Sequence, residues 1–134
     1  MKRTITLLVL GLLTTLCGLS AQNKDFNEKE IENLAAGILS DNYGLQRSSI
    51  YFAGYYKVAE VVNEVTEVML TSDEPNIKIL AALALYEIGK EEALNDFAQL
   101  VNNNQEDLKV RKMVKAIYDK WDNELRSGLI VASH

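Results

Sequence analysis

This chain is poor in the residues that most often carry chemistry or cross-links: its 134 residues include one cysteine, one proline and one histidine. The cysteine, Cys17, lies in an N-terminal apolar stretch that we expect to be removed, which leaves no thiol for a disulfide or for catalysis. The histidine, His134, stands at the end of the sequence, where the converging partners of a metal or catalytic site are not expected. The sequence also lacks a Ser–His–Asp set, a phosphate-binding loop and the spacing of a calcium loop. We therefore predict a non-enzymatic protein with no cofactor and no metal.

The first residues have the pattern of a secretory signal peptide. Two basic residues precede an apolar stretch from Ile5 to Leu19, and Ala21 then borders a polar segment. This pattern predicts a signal peptide over residues 1–21, cleaved after Ala21; a retained membrane anchor is the alternative, although the stretch is short for a span. Lipidation of Cys17 is disfavoured because Leu16, which is not small, precedes it. We expect a periplasmic or secreted protein with no membrane span after cleavage, and the lack of Asn-X-Ser/Thr sequons favours a bacterial one.

The charge of the chain is acidic. It contains 14 Lys and Arg and 19 Asp and Glu, and loss of the signal peptide would leave 12 basic and 19 acidic residues, a net charge of −7. An acidic surface disfavours binding to nucleic acid and to anionic membranes. The charge is compatible with a basic protein partner, but solubility alone is the favoured explanation.

The composition predicts an all-α protein. Ala, Leu, Glu and Lys are abundant, and apolar residues recur at helical spacing. Asn27 and Glu30 have the spacing of a capping box, Pro75 suits a first helical turn, and Gly89 suits a left-handed helix end. No helical face is evident over residues 128–134. Six helices are predicted: one starting after Asn27, one from about Arg47 to about Ala59, then Val61–Leu70, Asn76–Ile88, Glu91–Val101, and a sixth capped by Asn104.

Three segments of the sequence repeat one pattern. Tyr56, Tyr86 and Tyr118 are spaced 30 and 32 residues apart, and a fixed period of this size is typical of helical repeats. Each tyrosine follows a small residue and then a bulky one, in Gly54-Tyr55, Ala84-Leu85 and Ala116-Ile117. We expect the small residue to let neighbouring helices approach and the bulky residue to fill the core.

The segment Ala81–Gly89, followed by Glu91–Leu94, resembles the HEAT-like repeats first grouped with phycobilisome lyases. Val110-Arg111 is similar to the opening of the next repeat of that family. The resemblance implies a short α-solenoid of antiparallel helix pairs, with about two and a half repeats over residues 22–134. Such repeats are mostly binding scaffolds, and lyase activity is not implied because no chromophore-handling residue matches.

Two groups of residues are candidate binding surfaces. A polar and acidic strip repeats at an interval of 32 residues on the third and fifth predicted helices, although an ordinary solvated face is the favoured explanation. Four aromatic residues crowd the second helix, where core and inter-repeat packing is favoured over a stacking platform. The strip comprises Asn63, Glu64, Glu67, Asn95, Asp96 and Gln99, and the aromatic residues are Tyr51, Phe52, Tyr55 and Tyr56.

These observations leave three hypotheses for function. The first is an exported, non-enzymatic protein–protein interaction module. The second is an accessory or regulatory subunit of an envelope enzyme or complex. The third, an enzyme whose chemistry the sequence does not reveal, is the least favoured.

Overall fold

The computed structural model of the chain describes residues 24–132, and all regular secondary structure in this range is helical. Short 3₁₀ turns at Ala59–Val61 and Glu91–Ala93 lead into the third and fifth helices. The predicted signal peptide over residues 1–21, with Cys17 and the cleavage point, and the terminal His134 lie outside the described residues. The six α-helices are α1 (Glu28–Ile38), α2 (Tyr43–Tyr55), α3 (Val62–Thr71), α4 (Pro75–Ile88), α5 (Leu94–Asn102) and α6 (Leu108–Ala132).

The predicted end signals of α1 and α4 are confirmed. The Asn27 side chain accepts a hydrogen bond from the Glu30 N–H, and the Glu30 carboxylate accepts one from the Asn27 N–H, both at 3.0 Å. Pro75 is the first residue of α4, and Gly89 ends that helix in the left-handed conformation with φ of 76°. These are local signals, so the sequence is sufficient to place them.

The predicted bounds of α2 are wrong at both ends. The helix begins at Tyr43 because the Asn42 side chain caps it, accepting a hydrogen bond from the Leu45 N–H at 3.0 Å. It ends at Tyr55, where the Lys57 N–H donates to the Gly54 carbonyl and the Val58 N–H donates to the Ala53 carbonyl. This hydrogen-bond pattern is a Schellman motif, and Lys57, with φ of 53°, occupies the position that glycine usually takes.

The cap of α6 also differs from the prediction. Asp107, not Asn104, precedes the helix, and its carboxylate accepts hydrogen bonds from the N–H groups of Lys109 and Val110 at 2.8 and 3.1 Å. The helix continues to Ala132, through residues 128–132 for which no helical face was predicted.

The helices pack as hairpins that stack in two rows. Contacts join α1 to α2, α3 to α4 and α5 to α6, and the short loops within these pairs make the partners antiparallel. One row runs α1–α3–α5 and the other α2–α4–α6. The sequence grouped α4 with α5 in one repeat, but the extensive contacts of α4 are with α2, α3 and α6. Helix α4 is therefore the centre of the fold, and Ile77, Ala81 and Leu85 are among its buried residues.

The predicted close approach of helices is confirmed at Gly54 and fails at Ala116. A Cβ atom at Gly54 would lie 2.9 Å from the Ala84 Cα, so α2 and α4 are nearly in backbone contact. Ala116 is exposed because α6 is the last described helix of its row. Leu85 and Ile117 are buried as predicted, but Tyr55 is exposed because α2 turns Ile50 and Ala53 inward.

The described helices meet no criterion for a membrane span, since none is both long enough and apolar enough to cross a bilayer.

Candidate functional site

A groove runs between the neighbouring helices α2 and α4 on the outer side of their row. Four residues at intervals of four line its α2 side, so they lie along one stripe of that helix. Three adjoining depressions of about 460, 340 and 530 Å³ make up the groove, and Leu80 lines all three. Its principal lining residues are Tyr43, Arg47, Tyr51 and Tyr55 from α2, and Asn76, Leu80, Leu83 and Glu87 from α4.

The floor of the groove is made of small residues and its walls of large ones. Gly54 and Ala84 form the floor where the two helices come closest. Tyr51 and Tyr55, at the walls, are 61% and 67% exposed, and Leu83 opposite them is 42% exposed. Large apolar side chains thus stand open to solvent on both sides of a depression, which is uncommon on a protein that acts alone.

The aromatic wall belongs to a longer run of contacting rings. Tyr51 stacks on Tyr55 with ring centroids 6.0 Å apart, and Tyr55 meets Tyr56 at 4.9 Å. Tyr56 in turn contacts Phe52 at 4.4 Å, and Phe26 packs edge-on against both of them. Core packing was the favoured prediction for this group, and it is wrong for the three tyrosines, which are exposed, while Phe52 is half-buried. These contacts restrict the movement of the rings, so the tyrosine side chains in the wall of the groove are held in place by their neighbours.

The two ends of the groove carry opposite charges. Arg47 lies near the N-terminal ends of α2 and α4, and Glu87 lies near their C-terminal ends. Arg47 and Tyr55, which lies with Glu87 in the third depression, are eight residues apart on α2, a helical rise of about 12 Å. The stretch between the charges is lined mainly by tyrosine and leucine. The groove is therefore apolar along its length, with a positive charge near one end and a negative charge near the other.

The predicted strip residues lie on α3 and α5, which contact each other in the second row. Four of them are exposed: Asn63, Glu67, Asn95 and Gln99. Glu64 and Asp96 are half-buried, and one carboxylate oxygen of Glu64 is enclosed without a hydrogen-bond partner among the described residues. Glu67 is thus the one acidic residue of the strip that is exposed, and the role of the strip in binding stays a prediction.

Glu67 also lines an acidic cleft that the sequence did not predict. The cleft, of about 460 Å³, lies between the α1–α2 loop and the α3–α4 loop. Its lining includes the carboxylates of Asp41, Glu67, Asp73 and Glu74 and the exposed side chains of Leu39 and Tyr43. Within residues 24–132 no group of His, Cys, Asp and Glu side chains is arranged to hold a metal ion. The cleft was missed because it joins two loops that are remote in sequence.

Among the described residues, Lys120 on α6 has a displaced pKa. The hydroxyl of Tyr86, and then the carboxylate of Glu124, raise the pKa of Lys120 above its ordinary value of 10.5. Tyr86 itself is half-buried, its ring meets Trp121 edge-on, and its hydroxyl lies 2.8 and 3.0 Å from the two carboxylate oxygens of Glu124. This arrangement ties α4 to α6 and has a structural role.

Comparisons of the chain with protein-family models, with curated proteins and with solved structures returned no match. The geometry of the groove and the charges around it are therefore the features of the protein that bear on its function.

Proposed function

We propose that this protein is an exported, non-enzymatic protein–protein interaction module of HEAT-like repeat type, and that the α2–α4 groove is its docking surface. The observation that supports the proposal is the exposure of Tyr51, Tyr55 and Leu83 around one continuous apolar depression. Tyrosine is enriched at binding hot spots because it combines a large apolar area with a polar end and few rotatable bonds. Burial of this surface by a partner would remove apolar area from water, which is favourable at about 25 cal/mol per Å².

The occupant that fits the groove is an amphipathic helix of another protein. A helix of three to four turns spans about 16–22 Å, which is similar to the length of the α2 wall. Apolar anchors at intervals of three and four on the partner helix would fall between Tyr51 and Leu83. The partner's helix dipole favours its N-terminus beside Glu87 and its C-terminus beside Arg47. A basic residue near the N-terminus of that helix would pair with Glu87, in keeping with an acidic chain that recruits a basic partner.

The HEAT-like assignment is supported by the stacking of successive hairpins. The rows α1–α3–α5 and α2–α4–α6 repeat one arrangement of neighbours, and Gly54 and Ala84 provide the close approach at the same point of two successive helices. In a short solenoid each hairpin buries its apolar face against the next. The resulting surface is extended and open, which suits it to binding another chain.

The second hypothesis, an accessory subunit of an envelope enzyme or complex, uses the same groove and differs only in the identity of the partner. Both hypotheses include export, through the predicted signal peptide over residues 1–21. One crosslinking experiment therefore tests the docking surface for both.

The experiment places a photo-crosslinking phenylalanine at Tyr55 in the groove and, as a control, at the exposed Asn123 on α6. We expect the Tyr55 probe to crosslink in an envelope extract to one amphipathic helical segment, which peptide mass spectrometry locates. A synthetic peptide of that segment should then bind the unmodified protein. The substitution Tyr51→Ser should raise the Kd of the peptide by at least about tenfold, as expected for a hot-spot aromatic residue.

The matched control is Leu45→Ser, which removes an exposed apolar side chain from the same helix outside the groove. It should leave the peptide affinity within about twofold, since surface residues outside an interface contribute little. Charge reversal at Glu87 should weaken binding of a peptide with a basic N-terminus. Equal crosslinking from Tyr55 and Asn123, or equal losses with Tyr51→Ser and Leu45→Ser, would refute the groove as the docking surface.

A further inference from the structure

The charges of this protein are divided between its two ends. Residues 24–74 contain four Lys and Arg and ten Asp and Glu, a net charge of −6. Helix α6 contains six Lys and Arg and three Asp and Glu, a net charge of +3. An acidic chain overall thus carries one distinctly basic helix, and that helix is the last described member of its row. The outer face of α6 has no neighbouring helix within residues 24–132.

The start of α6 combines exposed apolar residues with lysines. Leu108 is 60% exposed and Met113 is 44% exposed. Lys109 and Lys112 are exposed beside them. We call these four residues the basic edge. Burial of its apolar side chains by a partner would be favourable, and its lysines favour a partner surface that is acidic.

The acidic cleft has the complementary composition. Asp41, Asp73 and Glu74 are exposed in its lining, which also includes the exposed apolar side chains of Leu39 and Tyr43. The cleft and the basic edge therefore each present two large apolar side chains, with acidic residues beside them in the cleft and two lysines beside them at the edge. The acidic Asp107 precedes the basic edge, where its carboxylate caps α6. Specific interfaces combine an apolar centre with charged residues that are complementary to those of the partner.

The cleft and the basic edge also lie side by side on one edge of the protein. The Lys109 ammonium donates a hydrogen bond to the Asn76 side chain at 3.2 Å. Asn76 follows Glu74, a residue of the cleft, by only two positions. Because the two surfaces are adjacent, a single two-fold axis can bring each of them against the other surface of a second molecule.

We propose that two copies of this chain form a symmetric dimer, in which the basic edge of each copy occupies the acidic cleft of the other. Such an interface is isologous, so it forms the same contact twice and closes without further growth. The basic partner expected from the acidic composition is then, at this surface, a second copy of the chain. Tyr43 lines both the groove and the acidic cleft. The charged residues that the dimer needs, Asp41, Asp73, Glu74, Lys109 and Lys112, lie outside the groove lining, so their substitution tests the dimer separately from the proposed function.

The test uses two charge-reversal variants of the protein. The acidic-cleft variant, Asp41→Lys with Asp73→Lys and Glu74→Lys, makes both surfaces positive. The basic-edge variant, Lys109→Glu with Lys112→Glu, makes both surfaces negative. By sedimentation velocity in 50 mM NaCl we expect the parent to be a dimer and each variant alone to be a monomer, because like charges then face each other. An equimolar mixture of the two variants should form a 1:1 heterodimer, since opposite charges meet again at both contacts.

The matched control reverses two charges farther along the same helix, Lys120→Glu with Arg126→Glu, and should dimerise as the parent does. Raising NaCl to 500 mM should increase the dimer Kd of the parent by at least about tenfold, because exposed charges are screened over a few ångströms at that salt. Circular dichroism shows whether each variant is folded. A parent that stays monomeric at 200 μM in 50 mM NaCl would overturn the proposal, as would variants that dimerise alone or a mixture that does not associate. A monomeric parent with a functional groove would leave the proposed function intact.

Discussion

The ion pair between Lys78 and Glu106 permits a quantitative prediction about stability. Both side chains are only 11% exposed. The Lys78 ammonium also donates to the Leu70 carbonyl at 3.3 Å, and the second carboxylate oxygen of Glu106 accepts from the Asp107 N–H at 3.0 Å. One cation thus joins the last turn of α3, the first turns of α4 and the loop before α6.

The perturbation is Lys78→Met, which keeps the aliphatic part of the side chain and removes the charge. It leaves the Glu106 carboxylate nearly buried without its cation and removes a favourable positive charge from the C-terminal turn of α3. Removing one partner of a buried ion pair costs about 3–5 kcal/mol. Because about a tenth of each side chain is still accessible to water, we expect a loss near the lower end, about 3 kcal/mol. For a domain of this size such a loss lowers the Tm by about 10–15 °C.

The assay is urea unfolding of the parent, Lys78→Met, Glu106→Gln and the double variant. Glu106→Gln should cost less than Lys78→Met, because the amide oxygen still accepts a hydrogen bond from the lysine. The double variant should be more stable than the sum of the two losses implies, by about 1–2 kcal/mol of coupling.

Lys115→Met is the control, since Lys115 and Asp119 form an exposed pair on α6 whose side chains are 59% and 50% accessible. Its cost should stay below about 0.5 kcal/mol, as is typical for a surface pair. The reasoning is refuted if Lys78→Met costs no more than Lys115→Met, or if the losses at Lys78 and Glu106 are additive.

Four further predictions concern single positions. Gly54→Ala should destabilise the protein by about 1–3 kcal/mol in urea unfolding, because the new Cβ would lie 2.9 Å from the backbone of α4; an unchanged midpoint would contradict the close approach of the helices. Lys57→Gly should raise stability by about 0.5–1 kcal/mol, because it relieves a left-handed lysine at the end of α2, and a decrease would count against the strain. Tyr86→Phe should cost about 0.5–1.5 kcal/mol for the lost hydrogen bond to Glu124, whereas Tyr86→Ala should cost about 2–3 kcal/mol because a half-buried ring is lost as well. The pKa of Lys120 is raised above 10.5 in the folded state, so its contribution to stability is fully present below the unfolded pKa and is lost as the pH rises through the folded value. The stability difference between the parent and Lys120→Met should therefore shrink in unfolding scans from pH 9 to 12, and a constant difference would disprove the linkage.

The sequence predicts those features of the fold that depend on residues close together in the chain. The capping box of Asn27, the proline start and glycine end of α4, and the all-helical class follow from local chemistry and from helical periodicity. The end of α2 was predicted at the wrong residue, although it too depends on residues close in the sequence. A Schellman motif usually has glycine at its left-handed position, and here a lysine stands there, so the sequence carries no signal for it.

The candidate site could not be predicted because it depends on which face of each helix meets a neighbour. Tyr51 and Tyr55 are apolar enough to be core residues by composition, and α2 is apolar nearly all round. Their exposure is decided by the position of α4, which Gly54 and Ala84 determine by allowing backbone contact on one side of α2. The acidic cleft depends in the same way on two loops that only the packing of hairpins brings together.

Gly54 connects the stability of this fold to its proposed binding surface. A residue with a larger side chain at this position would hold α2 and α4 apart and fill the floor of the groove. The tyrosine wall would then stand farther from Leu83, and an apolar anchor from a partner would no longer contact both walls at once. Glycine in the interior of a helix costs about 0.5–1 kcal/mol relative to alanine, so backbone contact with Ala84 must offset that cost. The same contact gives the groove its depth, which is why a substitution that tests the packing at Gly54 also tests the docking surface.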